Sequence, residues 1–188
     1  MDNDNTNYIY LFTDASSFNN GRKDPSKPMY GGFGCYITDT EFNTLYSIKR
    51  SFHDSTINQN ELLAVIYGIA HIMRDNYKNG NKEKFNISVV SDSQYVIRGI
   101  TEYMTGWINR NWMSSSGTPV KNAEMWKLLV NIINNSSSQY EFNFTWVKGH
   151  TTNSFKKGTS KRNRYIPEEL LPHFIEYNHR FDNLALEV

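Results

Sequence analysis

Y-I-Y-L-F-T-D, residues 8–14, decides how this chain reads, because it is a β-rich apolar run that stops on a carboxylate. A second run with the same ending, F-N-I-S-V-V-S-D, covers residues 85–92. Between them N-Q-N-E-L-L-A-V-I (58–66) opens a long helical pattern that carries Glu61. Asp182 lies near the end of the chain, in N-H-R-F-D-N-L-A-L (178–186). A carboxylate at the end of a buried strand is a poor core residue, since its charge is costly to desolvate unless something pairs with it. Asp14, Glu61, Asp92 and Asp182 therefore read as one convergent cluster, and divalent cations are the usual partner of such a cluster.

β-rich runs at 31–38 and 42–52 follow the first strand (7–13), separated by the turn-like D-T-E of 39–41. The Asn-, Gly-, Ser- and Pro-rich stretch 17–30 reads as a surface loop. Three early strands with short links predict an antiparallel meander. A helix is expected over about 58–75, where Leu62, Ile66, Ile69 and Met73 make one apolar face. A strand at 85–91 comes next, then a helix from Ser93 to Met104 with Tyr95, Val96, Gly99 and Ile100 inward. Residues 106–119 read as irregular. A helix follows over 122–134, with Trp126, Leu129 and Ile133 on one face, and a last strand over 140–147. A terminal helix is expected to begin near Phe174 or Asn178. The order predicts an α/β fold, a five-stranded mixed sheet with three antiparallel strands first and helices on both faces.

Composition sets bounds. The chain has 188 residues, 38% hydrophobic and 14% aromatic, enough for one compact domain with a sizeable core. Residues 1–7 read as a disordered polar tail and 8–188 as a single domain. The formal net charge of +1 neither demands nor excludes a polyanionic partner, but Lys and Arg cluster at 148–164. Cys35 is the one cysteine, so no internal disulfide forms, and it reads as a buried small hydrophobe. No apolar run approaches the ~20 residues needed to span a bilayer, and no signal peptide is read. The expected setting is a reducing cytoplasm, with no membrane partner and a monomeric state.

T-D-A-S (13–16), N-E-L-L-A (60–64), S-D-S-Q-Y-V (91–96), W-V-K-G-H (146–150) and N-x-x-x-D-x-L-A (178–185), in this order, resemble ribonuclease H of the cellular and retroviral type. G-I-T-E-Y (99–103) and P-V-K-N-A-E-M-W (119–126) resemble its bacterial members closely. The resemblance implies hydrolysis of the RNA strand of RNA/DNA hybrids, leaving 5′-phosphate and 3′-hydroxyl ends. It implies that Asp14, Glu61, Asp92 and Asp182 hold two Mg²⁺ ions, for which Mn²⁺ can substitute, roughly 4 Å apart. An oxygen-only donor set suits such hard ions, and Cys35 and the histidines offer no zinc spacing. His150 matches a loop histidine that assists proton movement or product release. The same-fold alternatives are a nuclease with another substrate, as in integrases and resolvases, and a hybrid-binding module without catalysis.

For substrate contacts the resemblance implies Asn20, Asn58 and Gln94, whose amides suit 2′-hydroxyls and base edges in the minor groove. Asn178 opens the last motif and is placed with them. Bacterial relatives carry a basic protrusion between helices; here G-W-I-N-R-N-W-M-S-S-S-G-T (106–118) keeps Trp107 and Trp112 but one cation, Arg110. A second departure is the basic insertion at about 151–172, which sets Asp182 32 residues beyond His150. Its Lys156, Lys157, Lys161, Arg162 and Arg164 suit phosphate contacts that would replace the thinned protrusion.

Overall fold

The computed structural model describes residues 7–148 together with Pro172, His173, Glu176 and Tyr177. Three strands open the fold: β1 (Asn7–Phe18), β2 (Tyr30–Thr38) and β3 (Thr44–His53). Helix α1 (Ile57–Lys78) and strand β4 (Phe85–Ser91) follow. A helical stretch then runs through α2 (Gln94–Arg98), a π-helical segment (Gly99–Tyr103) and α3 (Met104–Asn109). Helix α4 (Ala123–Ser136) and strand β5 (Tyr140–Trp146) complete the described elements. The five strands form one sheet in the order β3-β2-β1-β4-β5. The β1–β2 and β2–β3 pairs are antiparallel, whereas β1–β4 and β4–β5 are parallel. This is the mixed sheet that the element order predicts.

The apolar periodicity of α1 becomes burial against the sheet, with Leu62, Val65 and Ile69 fully enclosed. They join Leu11, Ile87 and Val89 from the sheet and Val96, Trp126 and Leu129 from the later helices in one core. Each such side chain contributes roughly 1.5–3 kcal/mol by leaving water. A capping box starts α1: the Thr56 hydroxyl accepts from the Gln59 N–H (3.3 Å), and the Gln59 side chain accepts from the Thr56 N–H (2.8 Å).

Three predicted boundaries move. Strand β1 does not stop at 13 but runs to Phe18, because residues 14–18 keep pairing with Tyr30–Gly34 of β2 and Phe18 stacks on Tyr30. Short polar side chains hide such a continuation, which rests on the partner strand. Residues 106–109, read as irregular, are helical in α3, where Trp107 packs on Trp126 with ring centroids 5.3 Å apart. The π-helical turn re-aims the chain at Gly99, where a Cβ would sit 2.3 Å from the Trp126 ring. Helical geometry is present at Pro172 and His173, ahead of Phe174.

On the second face of the sheet Phe12, Tyr36, Val90 and Val147 are covered by Tyr177. The Tyr177 ring lies 4.7 Å from that of Phe12 and 4.8 Å from that of Tyr36, and its hydroxyl donates to the Phe42 carbonyl (3.2 Å). Tyr177 is thereby tied across this face of the sheet, whereas α1 and the later described helices pack together on the opposite face. Replacing Tyr177 by Ala should cost about 3–5 kcal/mol of unfolding free energy in urea titrations, and Tyr177→Phe about 1 kcal/mol. Equal midpoints for the parent and both variants would remove Tyr177 as the tie.

Candidate active site

The parallel register of β1 and β4 ends at the pair Thr13 and Ser91. The next residue on each strand is an aspartate, Asp14 and Asp92, so one ladder delivers two carboxylates to the same level of the sheet. Asp14 stays within β1, opposite Gly34 of β2, while β4 stops and its chain turns into α2. Ser93, not Asp92, caps that helix by accepting from the Val96 N–H (3.4 Å), which leaves the Asp92 side chain outside the capping role. The Asp92 carbonyl accepts from the Trp146 indole (2.9 Å) at the end of β5, so the neighbouring strand holds this corner.

Glu61 comes from the first turns of α1, which lies over β1 and β2. It is buried, with 6% of its surface exposed. One carboxylate oxygen from each of Asp14, Glu61 and Asp92 lies within 4.8 Å of the others. Burial, and then the charges of Asp14 and Asp92, hold the Glu61 carboxyl well above the usual range. Glu61 Oε2 is enclosed and has no hydrogen-bond partner among the described residues. An orphaned buried oxygen facing two further carboxylates is a site short of positive charge, and its all-oxygen donor set fits a hard divalent cation. Cys35, buried in β2, offers no competing soft ligand, since burial pushes its thiol up to about 12.

The remaining predicted residues divide into three groups. Asn20, Asn58 and Gln94 stand close in the chain to the triad's elements. The Asn20 side-chain oxygen accepts from the Ile57 N–H (3.2 Å) at the start of α1. Asn58 is exposed on the first turn of α1, and Gln94 is exposed as the first residue of α2. Trp107 and Trp112 pack against the helical side of the core, and Arg110 is exposed with its Nε donating to the Met113 carbonyl (3.3 Å). His150, Asn178, Asp182 and the cations of 156–164 lie outside the described residues. Two residues without a role in the sequence reading enter here: Trp146, through its bond to Asp92, and Asn60, fully buried beside Glu61. The sequence signals for Asn60 are its place at the head of N-E-L-L-A (60–64) and its polar side chain on the inward side of an amphipathic helix.

Comparison with known proteins follows the same lines. A model of the ribonuclease H (RNase H) family matches residues 6–168. Ribonuclease HI of Haemophilus influenzae is 34% identical over 142 residues, which is 76% of this chain and 78% of that protein. Ribonuclease H of Shewanella sp. (strain ANA-3) is 33% identical over 142 residues, 76% of each chain. Among solved structures, the RNase H domain of PFV superposes with a TM-score of 0.66 at 19% identity, covering 97% of this chain and 94% of that one. LC11-RNase H1, in complex with RNA/DNA hybrid, superposes with a TM-score of 0.57 at 19% identity, covering 96% and 95%.

The raised Glu61 carboxyl has a direct consequence for stability. Its folded form titrates above its unfolded form, so its contribution is complete below the ordinary glutamate range, about 4.3, and is lost as pH rises through the raised value. The metal-free protein should therefore lose thermal stability on going from about pH 5 toward neutrality and above, and Mg²⁺ should restore it. Glu61→Gln should flatten the profile. The same pH slope in parent and variant would exclude Glu61 as the group responsible.

Proposed function

The chain belongs to the ribonuclease H family, and on that footing we propose that it hydrolyses the RNA strand of RNA/DNA hybrids, leaving 5′-phosphate and 3′-hydroxyl ends. The observation that carries the proposal is the meeting of Asp14, Glu61 and Asp92 within 4.8 Å, with Glu61 Oε2 buried and unpartnered among the described residues. The family is generally dependent on divalent metal. Asp14, Glu61 and Asp92 would hold Mg²⁺, with Asp182 as the fourth carboxylate by its motif. Two such ions, when bound, lower the pKa of the attacking water and stabilise the leaving 3′ oxygen.

The chain's own residues then have separable tasks. The three carboxylates come from β1, the residue that follows β4, and α1; they would hold the cations between rigid elements, and that rigidity favours a single line of attack. A P–O bond forms from water as the P–O3′ bond breaks. The water proton leaves, and His150, placed by its motif, assists that transfer or the release of product. The 3′ oxygen departs and is protonated. Asn20, Asn58 and Gln94 read the minor groove through their amides. With its oxygen bonded to Ile57, Asn20 is left to donate through its N–H groups. Asn178, by its motif, is placed with these contacts. Trp107, Trp112 and Arg110 form a short arm beside the helices for the second strand. We extend the reading to a cytoplasmic monomer, a setting that suits the lone buried Cys35.

Asp92→Asn should keep the fold and lower Mg²⁺-dependent cleavage by at least about 10²-fold, the scale seen when one group that stabilises transition-state charge is lost. Parallel assays on matched hybrid, double-stranded RNA and single-stranded RNA, with Mg²⁺ or with EDTA, should show cutting of the hybrid alone and none with EDTA. Comparable cutting of double-stranded RNA, or wild-type rates in Asp92→Asn, would sink the proposal.

The basic segment has its own test. Neutralising Lys156, Lys157, Lys161, Arg162 and Arg164 together should weaken hybrid binding and flatten its salt dependence by about 0.9 in log–log slope per lost phosphate contact. An unchanged slope across a salt titration would show that the segment does not touch phosphates.

A further inference from the structure

We propose that Asn60 is a positioning residue of the cation site: its buried amide locks α1 to β1 at the spacing at which Glu61 and Asp14 share a cation. The inference rests on reading the triad as that site. Asn60 immediately precedes Glu61, and Ser16 lies two residues beyond Asp14 on β1. The Asn60 Nδ2 donates to the Ser16 carbonyl at 3.0 Å. One hydrogen bond thus joins the two elements that carry facing carboxylates, one residue from the first and two from the second.

Three observations set this bond apart from ordinary packing. Asn60 is fully buried, and its Oδ1 has no hydrogen-bond partner among the described residues. A half-satisfied buried amide carries a desolvation cost that an apolar side chain of similar volume would not. The space around the bond is kept clear by Gly31 of β2. A Cβ there would lie 2.4 Å from the Ser16 oxygen and 2.5 Å from the Asn60 nitrogen, so any side chain at 31 would force the bond apart. The other ties between this part of β1 and the start of α1 lie farther along the chain from Glu61: Ser17 donates to the Ser55 carbonyl (3.2 Å), and Asn20 accepts from the Ile57 N–H (3.2 Å).

The physical need for a lock follows from the charges. A cation can be shared only while Glu61 and Asp14 keep a fixed spacing, and the charge that gathers on three carboxylates within 4.8 Å of one another works against that spacing. The apolar face of α1 resists separation but is tolerant of small slides, since its contacts have no direction. A hydrogen bond to a strand carbonyl has direction and a narrow range of length, so it sets the register of helix on sheet. Groups that orient metal ligands from behind typically change metal affinity by 10–100-fold when removed.

The test uses Asn60→Leu, which keeps the volume and removes the donor, and Gly31→Ala, which keeps Asn60 and forces the bond apart. Calorimetric titration of Mg²⁺ and Mn²⁺ into each protein without nucleic acid should show dissociation constants raised about 10-fold or more over the parent. Hybrid KM at saturating cation should be unchanged, and turnover should recover as the cation is raised. If Asn60→Leu does not fold, Gly31→Ala and Asn60→Ala carry the same titration. Variants that fold and bind cation as the parent does, whether or not their melting temperature falls, overturn the inference and leave the proposed function standing. A parent that binds neither ion overturns both.

Discussion

The parallel pairing of β1 with β4 is the contact on which the site hangs. Its ladder closes at Thr13 and Ser91, and one step further each strand presents an aspartate. A slip by one residue would turn Asp14 or Asp92 to the opposite face and send core residues into water. The register is protected by what lies behind it: Leu11 and Val89 on the α1 face and Phe12 and Val90 on the other, all fully buried. Site geometry and core packing are therefore specified by the same set of pairings.

Against that scaffold the site is a place of deliberate electrostatic tension. Glu61 is buried in a helix whose first turn holds no acidic residue, and it faces two further carboxylates. Left alone, the arrangement favours a proton on Glu61; a divalent cation relieves the same strain more completely, because it satisfies all three groups at once. Stability and cation binding are thus linked through one side chain. The neighbouring polar contacts, Asn60 to Ser16 and Trp146 to Asp92, hold the backbone on which the charged groups sit. A site under repulsion needs directional bonds at its margins, since apolar contacts alone permit sliding.

Much of this was readable in one dimension. Leu62, Ile66 and Ile69 recur at helical spacing, and they are the residues that α1 buries. The run 85–91 matches β4 end for end, because a central strand enclosed on both faces is rich in apolar residues, here Phe85, Ile87, Val89 and Val90. What periodicity missed has a common cause. The extension of β1 through Ser16 and Ser17 depends on β2 as partner, and the helical course of 106–109 depends on Trp126 lying beneath Gly99 and beside Trp107. Such features are set by contacts far along the chain, so local composition carries no trace of them. Tyr177 is the extreme case, since its hydroxyl reaches a carbonyl 135 residues away.

Which groups could do chemistry here is legible in one dimension: carboxylates at the ends of apolar runs, where a charge is costly to bury, and one at the start of an amphipathic helix. The order of elements is legible there as well, because hydrophobic period and turn residues are local properties. That Asp14, Glu61 and Asp92 lie within 4.8 Å, that Glu61 is enclosed, and that a buried asparagine stands behind it follows from three-dimensional packing. Distances between elements come from packing and from pairing register, and these arise between segments that the linear order keeps apart.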